Sequence, residues 1–457
     1  VMVHAETIFQ AAREHNADII GISGLITPSL EEMTHVAKEM QRQGFTMPLL
    51  IGGATTSKMH TAVKIDPHYH QPVVYVPDAS RSVAVVNQLL SENRRGPFLE
   101  ALEQEYDHYR ERFAASLEKR QFLSLAAARA NKLETRWQGY SPPVPQHYGV
   151  QVLNDFPLET LVGYIDWTPF FSTWGLRAKY PRVLEHEKFG EQAQQLLSDA
   201  QAMLQSFIES GAIKAHAVFG LFPANSVDDD DIEVYAGESR QEILTKIVGL
   251  RQQTVHPADR PNLSLSDFIA PKDSGINDTI GAFAVTAGNG LDLLVQAFEQ
   301  EHDVYSSMMA KALTDRLAEA FAEYLHEQVR KHHWGYASDE SLDHTELIKE
   351  QYRGIRPAPG YPANPDHSQK ELIWELLNVE QSAQIRLTET LAMLPAASVS
   401  GWYFSHPEAQ YFGVGKIDQD QLIDYANRQA IDLETAEKRL ASNLGFQTEV
   451  GDRKKVA

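Results

Sequence analysis

Three short apolar segments in the first 95 residues alternate with segments of helical periodicity, and this alternation restricts the possible folds strongly. The apolar segments span 17–22, 48–51 and 73–76. Strands separated by helices of this length form a parallel sheet with helices on its faces. The predicted helices span 5–15, 30–43, a stretch from 58 onward, and 80–90. Because three strands make a thin sheet, we expect an incomplete one, in a chain that begins inside a domain.

Small residues follow each predicted strand, in the segments SGLITPS (23–29), GGATTS (52–57) and PDAS (77–80). The carboxyl ends of parallel strands meet at the edge where open α/β sheets bind ligands. Glycine lets a ligand approach the backbone, and Ser or Thr hydrogen-bonds without bulk. The segments also suit plain turns with helix caps, and Ser29 with Glu32 predicts a capping box. No G-x-x-x-x-G-K-[ST] phosphate loop is present, which disfavours a flavin or nucleotide carrier.

The acidic charge is concentrated after residue 95. Residues 1–95 contain 8 basic and 9 acidic side chains, so nearly all of the net charge of -21 lies in the rest of the 457 residues. This break indicates a domain boundary near residue 95, and the acidic surplus argues against nucleic-acid binding. Cysteine is absent, which excludes disulfides and fits a cytoplasmic protein. No apolar run approaches the roughly 20 residues that span a bilayer.

The pattern after residue 95 predicts a helical linker and then an α+β domain. Residues 97–136 are charged and helical in pattern, and the SPPVP run at 141–145 ends this stretch. Strands without regular helices between them are typical of an antiparallel sheet. The predicted strands are 215–220, 232–235, 281–286, 397–404 and 411–417, and the predicted helices are 185–210, 291–333 (one or two), 419–429 and 433–442.

The RPAPGYP segment at 356–362 holds one permanent cation and one aromatic ring on a backbone stiffened by three prolines. Arginine can grip a carboxylate through two parallel hydrogen bonds, so the segment suits a ligand with a carboxylate and a flat ring. An acid would hold an ammonium group of such a ligand, and further aromatics a purine or a sulfonium. The candidates are Asp166, Glu319, Tyr411 and Phe412. Alternatively, the segment is a connector whose arginine faces water, and the others are surface acids and core aromatics.

Two other clusters look like metal sites but lack the required spacing. The HEQVRKHH segment at 326–333 has no histidine four residues after His326, which a zinc helix needs. We expect these histidines, like His68 and His70, on the surface. The four aspartates at 228–231 lack the alternating oxygen ligands of a calcium loop and predict a solvated turn. No G-x-S-x-G nucleophile motif is present.

Five longer motifs occur along the chain: SGLITPS (23–29), GGATTS (52–57), DWTPFF (166–171), RPAPGYP (356–362) and SGWYFSHP (400–407). Together they resemble the cobalamin-dependent methionine synthase family, of which only the C-terminal part is covered. The resemblance implies an incomplete, flavodoxin-like α/β part of the cobalamin-binding domain at 1–95 and a helical linker at 96–119. It also implies an α+β reactivation domain at 120–457 that binds S-adenosylmethionine.

The resemblance further implies a methyltransferase that moves a methyl group from methyltetrahydrofolate to homocysteine through methylcobalamin. Its reactivation domain serves the reductive reactivation of inactive cob(II)alamin. In this reaction S-adenosylmethionine donates the methyl group, and flavodoxin or an equivalent donor supplies an electron. Carried over by motif, the residues for the nucleotide tail of cobalamin are Ser23, Thr27, Gly52 and Ala79. Those for S-adenosylmethionine are Asp166, Glu319, Arg356, Ala358, Tyr361, Tyr411 and Phe412. The acidic surplus would attract the sulfonium of this donor.

One motif of the family is absent from this sequence. The Asp-x-His-x-x-Gly segment, whose histidine ligates cobalt, does not occur, and His4 lacks its other residues. The resemblance therefore implies no cobalt ligand here, and it assigns the folate, homocysteine and zinc sites to domains outside the chain. We expect the chain to serve reactivation without completing methionine synthesis, as a cytoplasmic monomer that docks flavodoxin. The alternative is a non-catalytic module that senses S-adenosylmethionine or docks flavodoxin.

Overall fold

The computed structural model describes residues 3–24, 28–118, 121–137, 139–257 and 260–446. The chain divides into two compact units, of which the first comprises 1–122, 416–422 and 432–457 and the second 123–415 and 423–431. The domain limits predicted from the sequence stay a prediction, because compactness alone does not assign a segment to a domain. Among the described residues, no helix combines the length and the apolar character needed to cross a membrane.

The described part of the first unit contains a parallel sheet in the order β1 (Ile20–Ser23), β2 (Leu49–Gly52), β3 (Val73–Tyr75). Ile20 lies opposite Leu49, and Leu49 lies opposite Val73. All three side chains are buried, as expected for parallel strands covered on both faces. The α/β fold predicted for this part of the chain is confirmed.

Helices cover this sheet: α1 (Ala5–Glu14), α2 (Pro28–Arg42), α3 (Lys58–His60), α4 (Ala79–Leu89) and α5 (Glu92–Glu118). α3 continues as a π-helical turn and a 3₁₀ turn that ends at His68. The capping box predicted at Ser29 and Glu32 is wrong. α2 begins at Pro28, a residue suited to the first helical turn, so Ser29 lies inside the helix. α5 packs on the sheet, because Tyr106 Oη donates to the carbonyl oxygen of Val73 at 2.9 Å.

The described part of the second unit is organised around an antiparallel sheet, as the sequence predicts. Its strands are β4 (Gly149–Leu153), β5 (Lys214–Val227), β6 (Asp231–Tyr235), β7 (Ile243–Ile247), β8 (Asp278–Asn289), β9 (Arg386–Leu387), β10 (Met393–Leu394) and β11 (Ser398–Tyr403). The order is β11-β8-β5-β6-β7, and β4 also pairs with β5. β9 and β10 form a separate two-stranded ribbon.

Further helices follow α5 along the described part of the chain. They are α6 (Leu125–Ala130), α7 (Leu158–Val162), α8 (Trp167–Thr173), α9 (Gly190–Ser210), α10 (Leu291–Gln300), α11 (Val304–Gln328), α12 (His344–Ile348), α13 (Lys370–Leu377), α14 (Val379–Ala383), α15 (Gln419–Gln429) and α16 (Leu433–Arg439). The predicted helical stretch 291–333 is broken between α10 and α11. His302 adopts a left-handed conformation there (φ 57°), and Asp303 caps α11 by accepting from the backbone N–H of Ser306 at 2.9 Å.

The central strands β5 and β8 are buried along nearly their whole length, because both faces of the sheet are covered. Phe219 and Phe283 point into the core that contains α11. Their neighbours Val218 and Ala284 point into the opposite core, which contains α13 and α14. The alternation places α11 firmly against one face of the sheet.

The strand predicted at 411–417 is wrong, since the structure has no strand there. The backbone N–H of Val414 donates to the carbonyl oxygen of Pro362 at 2.8 Å. The segment therefore runs beside the RPAPGYP segment and not in the sheet. An apolar run with alternating glycines predicts extended backbone, but it does not say which partner that backbone has.

The aspartates at 228–231 connect β5 and β6 through a turn. Asp228 and Asp229 are exposed, but the prediction of a solvated turn is wrong for Asp230 and Asp231. Asp230 and Asp231 have no exposed surface. Arg251 Nε donates to Asp230 Oδ1 at 2.6 Å, and Lys246 Nζ lies 3.0 Å from Asp231 Oδ2. A run of acids predicts a solvated segment when no cationic partner is visible nearby in the sequence. Here the partners are distant in sequence, and they allow the acids to be buried.

Candidate functional site

The RPAPGYP loop (residues 356–362) lies beside the edge strand β11. Ile355, just before it, pairs with Phe404, and the backbone N–H of Trp402 donates to the carbonyl oxygen of Pro357 at 2.9 Å. Gly401 permits this approach, because a Cβ atom there would lie 2.8 Å from the same oxygen. Proline cannot donate to a neighbouring strand, but its carbonyl oxygen still accepts. The loop is thereby fixed to the sheet.

The loop reverses direction at Gly360, where φ is 91°. The backbone N–H of Tyr361 donates to Ala358 O at 3.1 Å, and that of Gly360 to Asn364 O at 2.7 Å. A Cβ atom on Gly360 would lie 2.2 Å from the ring of His367. Both the positive φ and the close ring therefore require glycine at this position.

Arg356 does not face water, so the connector interpretation is wrong for this residue. Its side chain is 16% exposed, and Nη2 lies 2.8 Å from Glu323 Oε2. Its backbone N–H donates to Tyr411 Oη at 3.0 Å. Burial opposes the guanidinium charge, but Glu323 and the neighbouring phenols outweigh it and raise the pKa of Arg356 above its usual value. Nη1 is buried and has no hydrogen-bond partner among the described residues.

Behind Arg356 lies a buried polar cluster that the sequence analysis missed. Glu323 Oε1 is 3.9 Å from Arg330 Nη1, and Arg330 is held by both carboxylate oxygens of Glu340, at 2.7 and 2.9 Å. Glu323 follows Glu319 by four residues on α11, a spacing that puts both on one helix face and could have indicated it. Glu340 lies outside that helix and gave no such signal.

His326 belongs to the same cluster, so its predicted surface position is wrong. Its ring has no exposed surface, stacks on Tyr403 with centroids 5.0 Å apart, and lies 3.3 Å from Tyr336 Oη through Nε2. Burial lowers the pKa of His326 well below its ordinary value, so the ring is neutral. Among the described residues, no three His, Cys, Asp or Glu side chains are placed to hold a metal ion.

The structure brings five of the residues predicted for S-adenosylmethionine together. Glu319 interacts electrostatically with both Arg356 and Tyr361, and Tyr411 bonds to the backbone of Arg356. Tyr361 is 63% exposed and Tyr411 is 41% exposed, although both are large aromatic residues. Ala358 is half-buried within the loop. The arrangement offers a cation, an acid and two accessible rings within one region.

The remaining two predicted residues lie at the margins of this region. Asp166 caps α8, because Oδ1 accepts from the backbone N–H of Thr168 at 2.9 Å. α8 packs against α11, the helix that carries Glu319, but Asp166 makes no hydrogen bond or ion pair with Arg356 among the described residues. Phe412 packs into the apolar core, with its ring 6.3 Å from that of Phe268. The ligand contacts of all these residues stay predictions.

In the first unit, the predicted cobalamin residues that the structure describes lie where parallel strands end. Ser23 is opposite Gly52 in the paired strands, and the chain enters α4 at Ala79 just after β3. Thr27 lies outside the described residues. A Cβ on Gly53 (φ 108°) would lie 2.2 Å from Gly24 O, so part of the glycine content serves backbone packing. The small, hydroxyl-bearing edge matches the prediction, and the cofactor contacts stay predictions.

Comparisons with known proteins cover both units. The family described as "Vitamin B12 dependent methionine synthase, activation domain" matches residues 157–430, and the family "B12 binding domain" matches residues 1–69. Among solved structures, the crystal structure of the MetH reactivation domain bound to AdoHcy is similar at 53% sequence identity, with a TM-score of 0.70. The similarity covers 71% of this chain and 99% of that chain. The first of these matches contains the whole RPAPGYP loop, and the second contains Ser23 and Gly52.

Proposed function

Because the chain belongs to the family of the vitamin B12 dependent methionine synthase activation domain, we propose that it serves reductive reactivation of cobalamin and binds S-adenosylmethionine for this purpose. The enzyme of which it forms part would transfer a methyl group from methyltetrahydrofolate to homocysteine. The share of this chain is to present the methyl donor. A domain similar to the second unit has been crystallised with AdoHcy, the demethylated form of that donor, which supports the ligand class.

The observation that carries the proposal is the state of Arg356. Arg356 is largely buried and uses Nη2 for Glu323, while Nη1 has no partner in the described part of the chain and is left as a donor for a carboxylate. Arginine binds carboxylates with strong, directional hydrogen bonds. The rigid loop that carries it loses little conformational entropy on binding. This geometry suits the amino-acid end of S-adenosylmethionine.

The surroundings of Arg356 suit the rest of the same ligand. The exposed rings of Tyr361 and Tyr411 can contact an adenine face or a sulfonium. Glu319, which is exposed on α11, and Asp166, which caps α8, supply negative charge for an ammonium group or for the sulfonium. In this proposal the chain performs no acid–base step on the methyl group; it binds and orients the donor.

The first unit fits the nucleotide tail of cobalamin by its donor chemistry. Ser23 is exposed at the end of β1, Gly52 at the end of β2 has no side chain, and the chain enters α4 at Ala79. We assign these residues and Thr27 to holding the cofactor. When bound, cobalamin supplies the cobalt centre that accepts the methyl group.

An electron donor such as flavodoxin is the partner that this function requires. The segment after α8 exposes Arg177, Lys179 and Arg182, although the chain carries a net charge of -21. The segment folds back on α8, because the backbone N–H of Tyr180 donates to Thr168 Oγ1 at 3.2 Å. A positive surface close to the start of α8 suits an acidic flavoprotein and would speed its association.

Titration calorimetry of the full chain with S-adenosylmethionine tests the proposal. Arg356→Ala should weaken binding by about tenfold or more, because a charge-assisted hydrogen bond is lost. Arg356→Lys keeps the charge without the planar guanidinium. Its affinity should lie between that of the unmodified chain and that of Arg356→Ala. The matched control is Arg386→Ala, which removes an exposed arginine from β9. Unchanged affinity in both Arg356 variants would contradict the site.

A further inference from the structure

Glu323 lies between two guanidinium groups. Its Oε2 is 2.8 Å from Arg356 Nη2, and its Oε1 is 3.9 Å from Arg330 Nη1. The carboxylate is only 13% exposed, so both interactions take place largely away from water. Neither Glu323 nor Arg330 carries an obvious motif in the sequence, and neither belongs to the residues predicted to touch the ligand.

Arg330 is itself held rigidly behind Glu323. Its side chain has no exposed surface, and Glu340 accepts from Nε at 2.9 Å and from Nη2 at 2.7 Å. Its guanidinium carbon lies 4.2 Å from the centroid of the Tyr352 ring, a cation–π distance. Negative and positive side chains therefore alternate in the order Glu340, Arg330, Glu323, Arg356. This row of charges ends at the RPAPGYP loop.

The way in which Glu323 binds Arg356 leaves one amino group of the guanidinium unused. A free arginine side chain has many rotamers, and each must be lost before it can bind a ligand. Glu323 fixes the side chain through Nη2, while Nη1 has no partner among the described residues. We propose that Glu323 is a positioning residue that holds Arg356 so that Nη1 is kept for the carboxylate of the ligand. The inference rests on the proposed function.

Electrostatic repulsion between Glu323 and the ligand carboxylate acts in the opposite direction. If repulsion dominated, removal of the Glu323 charge would tighten binding. Arg330, placed on the far side of the same carboxylate, offsets part of that charge. Positioning is therefore expected to dominate over repulsion. The two are distinguished by whether removal of the Glu323 charge lowers or raises the affinity for the ligand.

The test compares two ligands on the full chain by titration calorimetry: S-adenosylmethionine, and decarboxylated S-adenosylmethionine, which lacks only the carboxylate. Glu323→Asp keeps the charge but is one methylene too short to hold Nη2. This variant should bind S-adenosylmethionine with about tenfold lower affinity, and its affinity for the decarboxylated ligand should change by about twofold or less. Glu323→Gln keeps an acceptor of full length and should retain the preference for the carboxylated ligand.

Glu327→Asp is the matched control. Glu327 lies one turn further along α11, accepts from Tyr164 Oη at 2.6 Å and pairs with Lys331 at 3.3 Å. It resembles Glu323 in residue type and burial, so its variant should bind both ligands like the unmodified chain. A loss of affinity for both ligands in Glu323→Asp indicates a merely structural role and overturns the inference.

Arg356→Ala separates this inference from the function on which it rests. If it leaves the preference for the carboxylated ligand unchanged, the proposed site is wrong and the inference falls with it. If it removes the preference while Glu323→Asp keeps it, only the positioning role is wrong. Tighter binding of S-adenosylmethionine to Glu323→Gln would assign the dominant effect to repulsion and also overturn the inference.

Discussion

At the scale of single residues, Arg251 shows how this chain accommodates charge away from water. It has no exposed surface, and its Nη1 and Nη2 donate to Asp267 Oδ2 and Oδ1 at 2.9 and 2.8 Å. Its Nε donates to Asp230, and Nη2 also reaches the carbonyl oxygen of Asp229 at 3.0 Å. A guanidinium with five donors in a plane can satisfy two carboxylates and a backbone oxygen together. The aspartate turn depends on it.

Replacement of Arg251 by alanine should destabilise the chain strongly. It leaves the buried carboxylates of Asp230 and Asp267 without their shared cation, and loss of one partner of a buried ion pair costs about 3–5 kcal/mol. The free energy of unfolding in urea measures this. The exposed Arg386→Ala is the control and should change the free energy by about 0.5 kcal/mol or less. Equal effects in the two variants would show that the buried network contributes little.

At the scale of elements, the RPAPGYP loop is defined by what lies on either side of it. The backbone of β11 holds Pro357, and the ring of His367 lies under Gly360. The prolines indicate stiffness from the sequence, whereas the direction of the loop results from these neighbours. The position of Arg356, the proposed binding group, therefore depends on the anchoring of its loop at both ends.

Replacement of Gly360 by alanine should disturb this element specifically. A residue with a side chain at positive φ costs about 1–2 kcal/mol. At Gly360 the new Cβ would also overlap the His367 ring, which would displace the loop. Gly275→Ala is the control, because Gly275 has φ 70° and open space around it. Thermal unfolding measures the stability cost in each variant, and calorimetry measures the affinity for S-adenosylmethionine. The affinity should be lower in Gly360→Ala only. Equal affinity in both variants would contradict the anchoring role of Gly360.

At the scale of the whole molecule, buried neutral histidines contribute to the response to acid. Burial lowers the pKa of His60, His367 and His406 to about 4 each, and nearby cations act in the same direction. In the unfolded chain a histidine has a pKa near 6.5. The unfolded state therefore takes up protons first as the pH falls. These residues contribute stability that is present above about pH 6.5 and is lost as the pH falls towards 4.

The free energy of unfolding should accordingly fall between pH 7 and pH 5. His406→Gln should reduce that fall by about 1 kcal/mol, because a group that titrates only in the unfolded state is removed. The relevant quantity is the difference between the free energies of unfolding at pH 7 and at pH 5. Loss of the ring contacts with Trp137 and Tyr140 lowers the stability at both pH values and cancels in this difference. His344→Gln, at an exposed position, is the control. An unchanged pH dependence in His406→Gln would contradict the assignment.

The sequence was sufficient for the class of both units and for most of their elements. Strands β1 to β3 follow from short apolar runs between amphipathic helices, and the antiparallel sheet follows from strands without helices between them. These signals are local, because periodicity records which face of an element is buried. The candidate loop was found in the same way, since three prolines and an arginine within seven residues are visible in any reading of the chain.

The partners of the charged side chains were decided by the fold. Glu323 meets Arg356, and Asp230 meets Arg251, across separations that no local pattern records. His326 was expected at the surface and is fully buried against Tyr403. Whether a polar side chain is solvated or paired depends on where distant segments pack, because desolvation and ion pairing oppose each other and only geometry decides between them. The sequence pointed to Arg356 as a binding group, and the packing of α11 against its loop supplied the carboxylate that holds it.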